Sequence, residues 1–298
     1  MDGKDIRDTI FLLLFVITIV GLIVSAVDNN SVKVYGYSSV FLCSILIFGI
    51  QLIAWIPASI LKTERFFDII GGITYIAVIF FTLWVGSLNG LITNRQIVIS
   101  ILVVIWSLRL SSFLYLRIHR TGKDGRFDDL KTSPIRFLVP WTLQGLWIFL
   151  TLNVVIVVNS QSNSGVPIGT WDLIGIILWL SGFAIEVIAD HQKSKFNIEE
   201  NNIWIDTGLW SYCRHPNYFG EILLWLGIAC FGLSCLNGLE LVALISPIFV
   251  YLLLTKVSGI PILDSRGLTK WGDNAKYIEY RNNTPALIPK LKKNKNSI

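Results

Sequence analysis

The feature that most limits what this chain can become is how much of it is apolar in unbroken stretches. Eight runs, at residues 10–27, 38–61, 68–88, 97–116, 137–158, 171–188, 218–236 and 239–256, approach or exceed the ~18 residues that mark a membrane span. In hydrocarbon, every backbone N–H and C=O must be satisfied within the protein, and a single run of that length achieves this only as a helix. The expected fold is therefore all-α, a polytopic transmembrane bundle of about seven or eight spans. The last two runs are joined only by Cys235-Leu-Asn-Gly238, so a re-entrant hairpin is an alternative there. With 53% of 298 residues hydrophobic and 15% charged, an ordinary soluble domain is excluded. The first run is long, has a polar approach and lacks a small-residue cleavage pattern, so it is read as a retained span rather than a signal peptide.

The charges alternate between loops. Lys4 and Arg7 precede the first run. Lys62 and Arg65, the basic segment from Arg117 to Arg136, the group Lys193, Lys195 and Arg214, and the residues from Arg266 onward follow the even-numbered runs. The opposite loops hold only Lys33 and Arg95. By the positive-inside rule both termini are cytoplasmic, in the inner membrane of a bacterium or the endoplasmic reticulum of a eukaryote. No basic run is interleaved with aromatics on a soluble module, so a nucleic-acid partner is not expected. Cys43, Cys213, Cys230 and Cys235 form no CxxC pair and the three histidines are scattered, which points to free thiols and no metal site. Oligomeric state is not legible.

Residues 206–221 concentrate polar groups at the mouth of an apolar helix. Pro216 suits a first helical turn, and Asn217 and Glu221 then share a face at i, i+4. Arg214, His215, Asn217, Tyr218 and Glu221 together fit a phosphorylated or amide-bearing cofactor held at a helix start. They equally fit a juxtamembrane anchor in which Arg214 snorkels, Tyr218 joins an interfacial belt and Glu221 pairs with a neighbouring helix. Elsewhere, Glu64 is read as an N-terminal cap of the third span, and Asp68 and Tyr75 place a carboxylate and a phenol on one face of it. Arg109, deep in the fourth span, calls for a carboxylate partner such as Asp68, Glu186 or Glu221. The loop around Gly122 and Gly125 could turn Arg126 onto a phosphate, or simply carry inside-positive charge. Glu186, Asp190, Lys193 and Asn197 rise along one face at the end of the sixth span, a wall suited to ribose hydroxyls and phosphates. Tyr277 and Arg281 share a face beyond the last span.

Gly208-Leu-Trp210 followed by Arg214-His-Pro-Asn-Tyr-Phe-Gly-Glu221 resembles the signature of the membrane reductases grouped with steroid 5-alpha-reductases, including bacterial-type relatives of unassigned substrate. The resemblance runs over residues 67–290, with 1–66 as N-terminal helices outside it and 291–298 as a basic flexible tail. It implies a helical bundle that encloses NADPH and reduces a carbon–carbon double bond conjugated to a ketone in a steroid-like or isoprenoid lipid. It also implies that Asn217 holds the nicotinamide carboxamide with Glu221 in support, that Glu186 and Asp190 meet the ribose, and that Arg126 and Arg214 meet phosphates. His215, Tyr218, Tyr277 and Arg281 complete the implied cofactor site, and Lys193 and Lys195 stand in for an arginine where this chain has Asn197. Steroid-reducing relatives pair a glutamate with a tyrosine as proton donors, and the matching positions here fall near Asp68 and at Trp106. Asp68, Tyr75 and Glu221 are the candidate catalytic groups. The alternative is an S-adenosylmethionine-dependent membrane methyltransferase of the isoprenylcysteine or phospholipid type, which shares a similar Arg-His-Pro-x-Tyr-x-Gly run. Asn217 together with Glu221 favours the reductase. A scaffold or transporter finds no inverted repeat to support it.

Overall fold

The computed structural model describes residues 3–28, 31–88, 90–161, 167–199 and 203–290. The side chain of Asn197, residues 200–202 and the basic tail at 291–298 lie outside the described residues. The helices are α1 (Gly3–Val27), α2 (Ser39–Leu61), α3 (Phe67–Ser87), α4 (Asn94–Thr121), α5 (Pro134–Ser160), α6 (Thr170–Glu199), α7 (Pro216–Leu233), α8 (Ile245–Leu252), α9 (Ile260–Trp271) and α10 (Ala275–Asn283). Among the described residues, eight stretches are long and apolar enough to cross a membrane: α1 to α7 and a composite eighth, Gly238–Trp271. This is a multi-pass helical membrane protein.

The eighth stretch is broken. A 3-10 turn (Gly238–Leu244) leads into α8, a π turn (Leu253–Val257) follows, and Gly259 precedes α9. The helices also outrun the apolar runs at their polar ends, where caps rather than hydrophobicity set the boundary. α4 starts at a Thr93–Gln96 capping box and stops at Gly122, whose φ of 81° lets its N–H reach the Ile118 carbonyl at 2.8 Å. The described strands, β1 (Lys33–Val34) and β2 (Tyr37–Ser38), form a tight hairpin. Tyr35 and Gly36 both take positive φ there, as a mirror-image two-residue turn requires.

The chain divides into two compact units, one comprising residues up to Asp172 with Cys230–Ser246, the other Leu173–Ala229 with the chain from Pro247 on. In the first, α5 is the buried axle, packed on by α1, α2 and α3. Polar side chains inside it pair across helices: Gln51 Nε2 donates to Thr74 Oγ1 at 3.0 Å, the Tyr75 and Thr151 hydroxyls meet at 2.6 Å, and Asn159 Nδ2 reaches Thr82 Oγ1 at 3.1 Å and Ser100 Oγ at 3.0 Å.

Glu64 corrects its expected role. The N-cap of α3 is Phe66, without a side-chain cap bond. The Glu64 carboxylate, 2% exposed, instead accepts from the Asp124 backbone N–H at 3.0 Å and from Lys131 Nζ at 2.9 Å, clamping the α2–α3 turn to the α4–α5 loop. Burial pushes this carboxyl up, but the Lys131 and Asp124 hydrogen bonds prevail and hold it below its ordinary value. A depressed carboxyl stabilises fully above its unfolded value of about 4.3 and loses that contribution as pH falls through the lower folded value. Limited proteolysis of the Gly122–Ser133 loop is therefore expected to accelerate below about pH 4.3. In Glu64→Gln it should already be faster at neutral pH, and an unchanged cleavage rate would refute the clamp.

In the second unit, α6 and α7 meet backbone to backbone through glycines. A Cβ on Gly182 would sit 2.5 Å from the Gly220 carbonyl oxygen, one on Gly220 would sit 2.7 Å from the Glu186 nitrogen, and one on Gly227 would sit 2.6 Å from the Gly175 oxygen. The spacing of seven residues on each helix (175 and 182; 220 and 227) keeps both contacts on one seam. Because the opposing atoms are backbone, nothing swings aside. Gly182→Val is expected to destabilise the unit by roughly 1–3 kcal/mol, seen as a lower unfolding midpoint in detergent, with Gly21→Val, whose Cβ meets open space, near neutral.

Candidate functional site

The glycine seam sets the site. It brings the end of α6 against the first turns of α7, so that buried Glu186 and Asp190 (3% and 8% exposed) stand beside the Pro216–Glu221 turn. Asn217 Nδ2 donates to Asp190 Oδ1 at 3.3 Å, and half-buried Glu221 follows one turn along the Asn217 face.

The approach to α7 is fixed by the Gly208-Leu-Trp210 turn. Gly208 has φ of 58°, and a Cβ on it would meet the Gln192 side chain at 2.5 Å; Gln192 Oε1 in turn accepts from the Leu209 N–H at 3.0 Å. Trp210 Nε1 donates to the Ala189 carbonyl at 3.1 Å, Lys193 lies 5.0 Å from the Trp210 ring centroid, and Tyr280 Oη donates to the Trp210 carbonyl at 2.7 Å. Burial pushes the Tyr280 phenol well above its ordinary range, so it remains a donor. This turn thus joins α6 to α10.

At the centre of the cations sits Asp264 on α9. Arg214 Nη1 donates to its Oδ1 at 2.6 Å, Arg281 Nη2 lies 3.5 Å from its Oδ2, and His215 Nε2 stands 3.6 Å from Oδ1. Arg214 is further held by the Thr284 carbonyl at 3.2 Å (from Nε) and by its own N–H on the Pro285 carbonyl at 2.9 Å. Burial lowers the His215 pKa against the opposing pull of Asp264, leaving the ring neutral at pH 7, stacked on Tyr218 at 5.5 Å between centroids. His215 Nε2 and Arg281 Nε are buried without a hydrogen-bond partner. Tyr277 is buried among Trp204 and Trp271, with its hydroxyl against Gly267. Two guanidiniums share one carboxylate, so the cluster keeps positive charge and donors to offer an anion, while Glu186 and Asp190 offer acceptors to hydroxyls.

The sequence-derived candidates Glu186, Asp190, Lys193, Arg214, His215, Asn217, Tyr218, Glu221, Tyr277 and Arg281 all belong to this unit, as does exposed Lys195. Asp68, Tyr75 and Arg126 belong to the first unit. There, half-buried Asp68 occupies the first turn of α3, and Tyr75 is buried edge-on to Trp106 at 5.2 Å. Arg126 grips Asp124 of its own loop through Nε and Nη2 at 2.6 to 3.0 Å. Arg109 lies 5.4 Å from the Phe113 ring centroid. Asp264 was not among the sequence-derived candidates, although a carboxylate just past Pro261 in an apolar stretch signals a need for cationic partners. The four cysteines are free thiols, and the described residues contain no His/Cys/Asp/Glu cluster able to hold a metal ion.

Residues 54–284 match a family described as a protein of unknown function (DUF1295). Among curated proteins, an uncharacterized protein of Schizosaccharomyces pombe (strain 972 / ATCC 24843) is 23% identical over 181 residues, 50% of this chain and 52% of that protein. The chain thus spans about half the length of the curated relative it matches. No solved structure matches the chain. With the family match running through α3–α10 and taking in the whole polar cluster from Glu186 to Arg281, the chain belongs to the DUF1295 family.

Proposed function

We propose that this protein is an NADPH-dependent reductase of a carbon–carbon double bond conjugated to a ketone in a steroid-like or isoprenoid lipid. The observation that carries the reading is the division of labour at the mouth of α7: acceptors on α6 joined to the Asn217 amide, and guanidiniums from the α7 approach and α10 gathered on Asp264. The family includes steroid 5-alpha-reductase-like membrane proteins, which is consistent with it.

The residues present fit such a cofactor. Arg281 Nε is a buried donor without a partner, and Arg214 and Arg281 outnumber the one carboxylate between them. These arginines would hold phosphate, Glu186 and Asp190 would accept from ribose hydroxyls, and Asn217 with Glu221 would orient an amide. When bound, NADPH supplies the hydride. The chain's own task is to exclude water and donate a proton toward the ketone oxygen. Thr151 Oγ1 already donates to the Trp147 carbonyl at 2.8 Å, so it accepts from Tyr75, whose proton is committed to helix packing. Glu221, in the same unit as the Asn217 amide, is the stronger donor candidate.

The test is isotopic. Purified protein incubated with a lipid extract of its host membrane and deuteride-labelled NADPH is expected to place deuterium in a saturated product. Transfer of a labelled methyl group from S-adenosylmethionine, with no deuterium transfer, would replace the reductase by the methyltransferase.

A further inference from the structure

The first unit holds a cavity of its own. α1 and α2 both pack on α5 and meet each other only sparsely beside a cavity of about 750 Å³, lined by Leu13 to Ser25 of α1, by Asp28 just past it, and by α2 between Phe41 and Leu52. This volume is in the range of small-molecule pockets. From Ser38 at the hairpin to Gln51 the helix rises about 20 Å, roughly one leaflet of a bilayer. All the lining residues except Thr142 precede residue 54, where the family match begins, so the cavity is built largely by the part of the chain outside that match.

The lining chemistry is selective. It holds no lysine or arginine, and its one carboxylate, Asp28, is at the hairpin end, which disfavours an anionic head. Among the residues of its wall is Gln51, 1% exposed. Thr74 Oγ1 spends its proton on the Ile70 carbonyl at 2.7 Å, so it must accept from Gln51 Nε2. The amide orientation is thereby fixed, and Gln51 Oε1 is left a buried acceptor with no donor. An apolar slot with an unmet acceptor in a wall residue selects a molecule that is apolar along its length and carries an uncharged hydroxyl.

We propose that the α1–α2 cavity binds a neutral lipid alcohol, with its hydroxyl donating to Gln51 Oε1 and its hydrocarbon body lying between the two helices. This site is independent of the reductase reading and holds whether or not the occupant is a substrate.

Gly21 makes the test clean. It lines the cavity, and a Cβ added there meets no protein atom within 4 Å, so Gly21→Trp is expected to occupy the slot from an uncrowded backbone position. Gly49 is equally open but does not line the cavity, making Gly49→Trp the control. The probes are a photoreactive prenol, its methyl ether and a photoreactive fatty acid, applied to the full chain in detergent. The prenol is expected to label α1 and α2 peptides roughly tenfold more than the ether, the discrimination one buried hydrogen bond gives. The preference should vanish in Gln51→Leu, and the labelling should be lost in Gly21→Trp but not in Gly49→Trp. Equal labelling by alcohol and ether would show that ordinary hydrocarbon fills the slot, and either that result, a preference for the fatty acid, or labelling indifferent to Gly21→Trp would overturn the proposal.

Discussion

Asp172→Ala is expected to destabilise the first unit by roughly 3–5 kcal/mol, the loss that follows when one partner of a buried ion pair is removed. Asp172 and Arg95 are 0% and 1% exposed, and the guanidinium grips the carboxylate at 2.7 Å (Nε to Oδ1) and 2.8 Å (Nη2 to Oδ2). The Gly169 N–H at 2.8 Å and the Ser234 hydroxyl at 3.2 Å complete the carboxylate, while Arg95 Nη2 also donates to the Pro167 carbonyl at 2.9 Å. One pair thus ties the starts of α4 and α6 to the end of α7. Deleting Asp172 takes this carboxylate away from a buried guanidinium, whereas Arg95→Met with Asp172→Leu removes both charges and fills similar space. The double variant is expected to unfold at a higher temperature in detergent than Asp172→Ala alone. A single variant within 1 kcal/mol of the parent would mean that water or lipid headgroups already solvate this pair.

Arg281→Met is expected to weaken NADPH binding by roughly 10–100-fold, the range for one charge-assisted hydrogen bond of about 1.5–3 kcal/mol. It is the better probe than Arg214, because Arg214 also braces the Thr284 carbonyl and its loss would disturb the fold. Arg281→Lys should recover part of the affinity, since it keeps the charge but not the fork. The fall should shrink as salt rises, because phosphate binding by a partly exposed cation is screened. An Arg281→Met protein that binds NADPH like the parent would remove α10 from the cofactor site.

Much of the architecture was legible because hydrocarbon is an exacting solvent: a run of apolar residues such as 137–158 has no alternative to helix, and α5 follows. Positions decided by polar contacts were harder. Glu64 looked like a local cap from its place before α3, yet its partners Asp124 and Lys131 lie far along the chain, and no local pattern announces them. Asp264 escaped for the same reason, since its meaning comes from Arg214, fifty positions earlier. The breaks on either side of α8 were hidden because 3-10 and π turns use the same apolar residues as a straight helix. By contrast, the polar stripe from Glu186 to Asp190 and the Arg214–Glu221 turn stood out against their apolar setting, and the structure joins them through Asn217 and Asp190.

The measurement that bears most directly on the central claim is a titration of the detergent-purified protein with NADPH, NADH and S-adenosylmethionine, following the unfolding midpoint. A ligand present at 100 times its Kd stabilises the folded state by about 2.7 kcal/mol, a shift well above noise. The account predicts that NADPH raises the midpoint by several degrees, that Asn217→Ala abolishes this shift while the variant still folds, and that S-adenosylmethionine leaves the midpoint in place. A shift with S-adenosylmethionine alone, or an NADPH shift undiminished in Asn217→Ala, would contradict it.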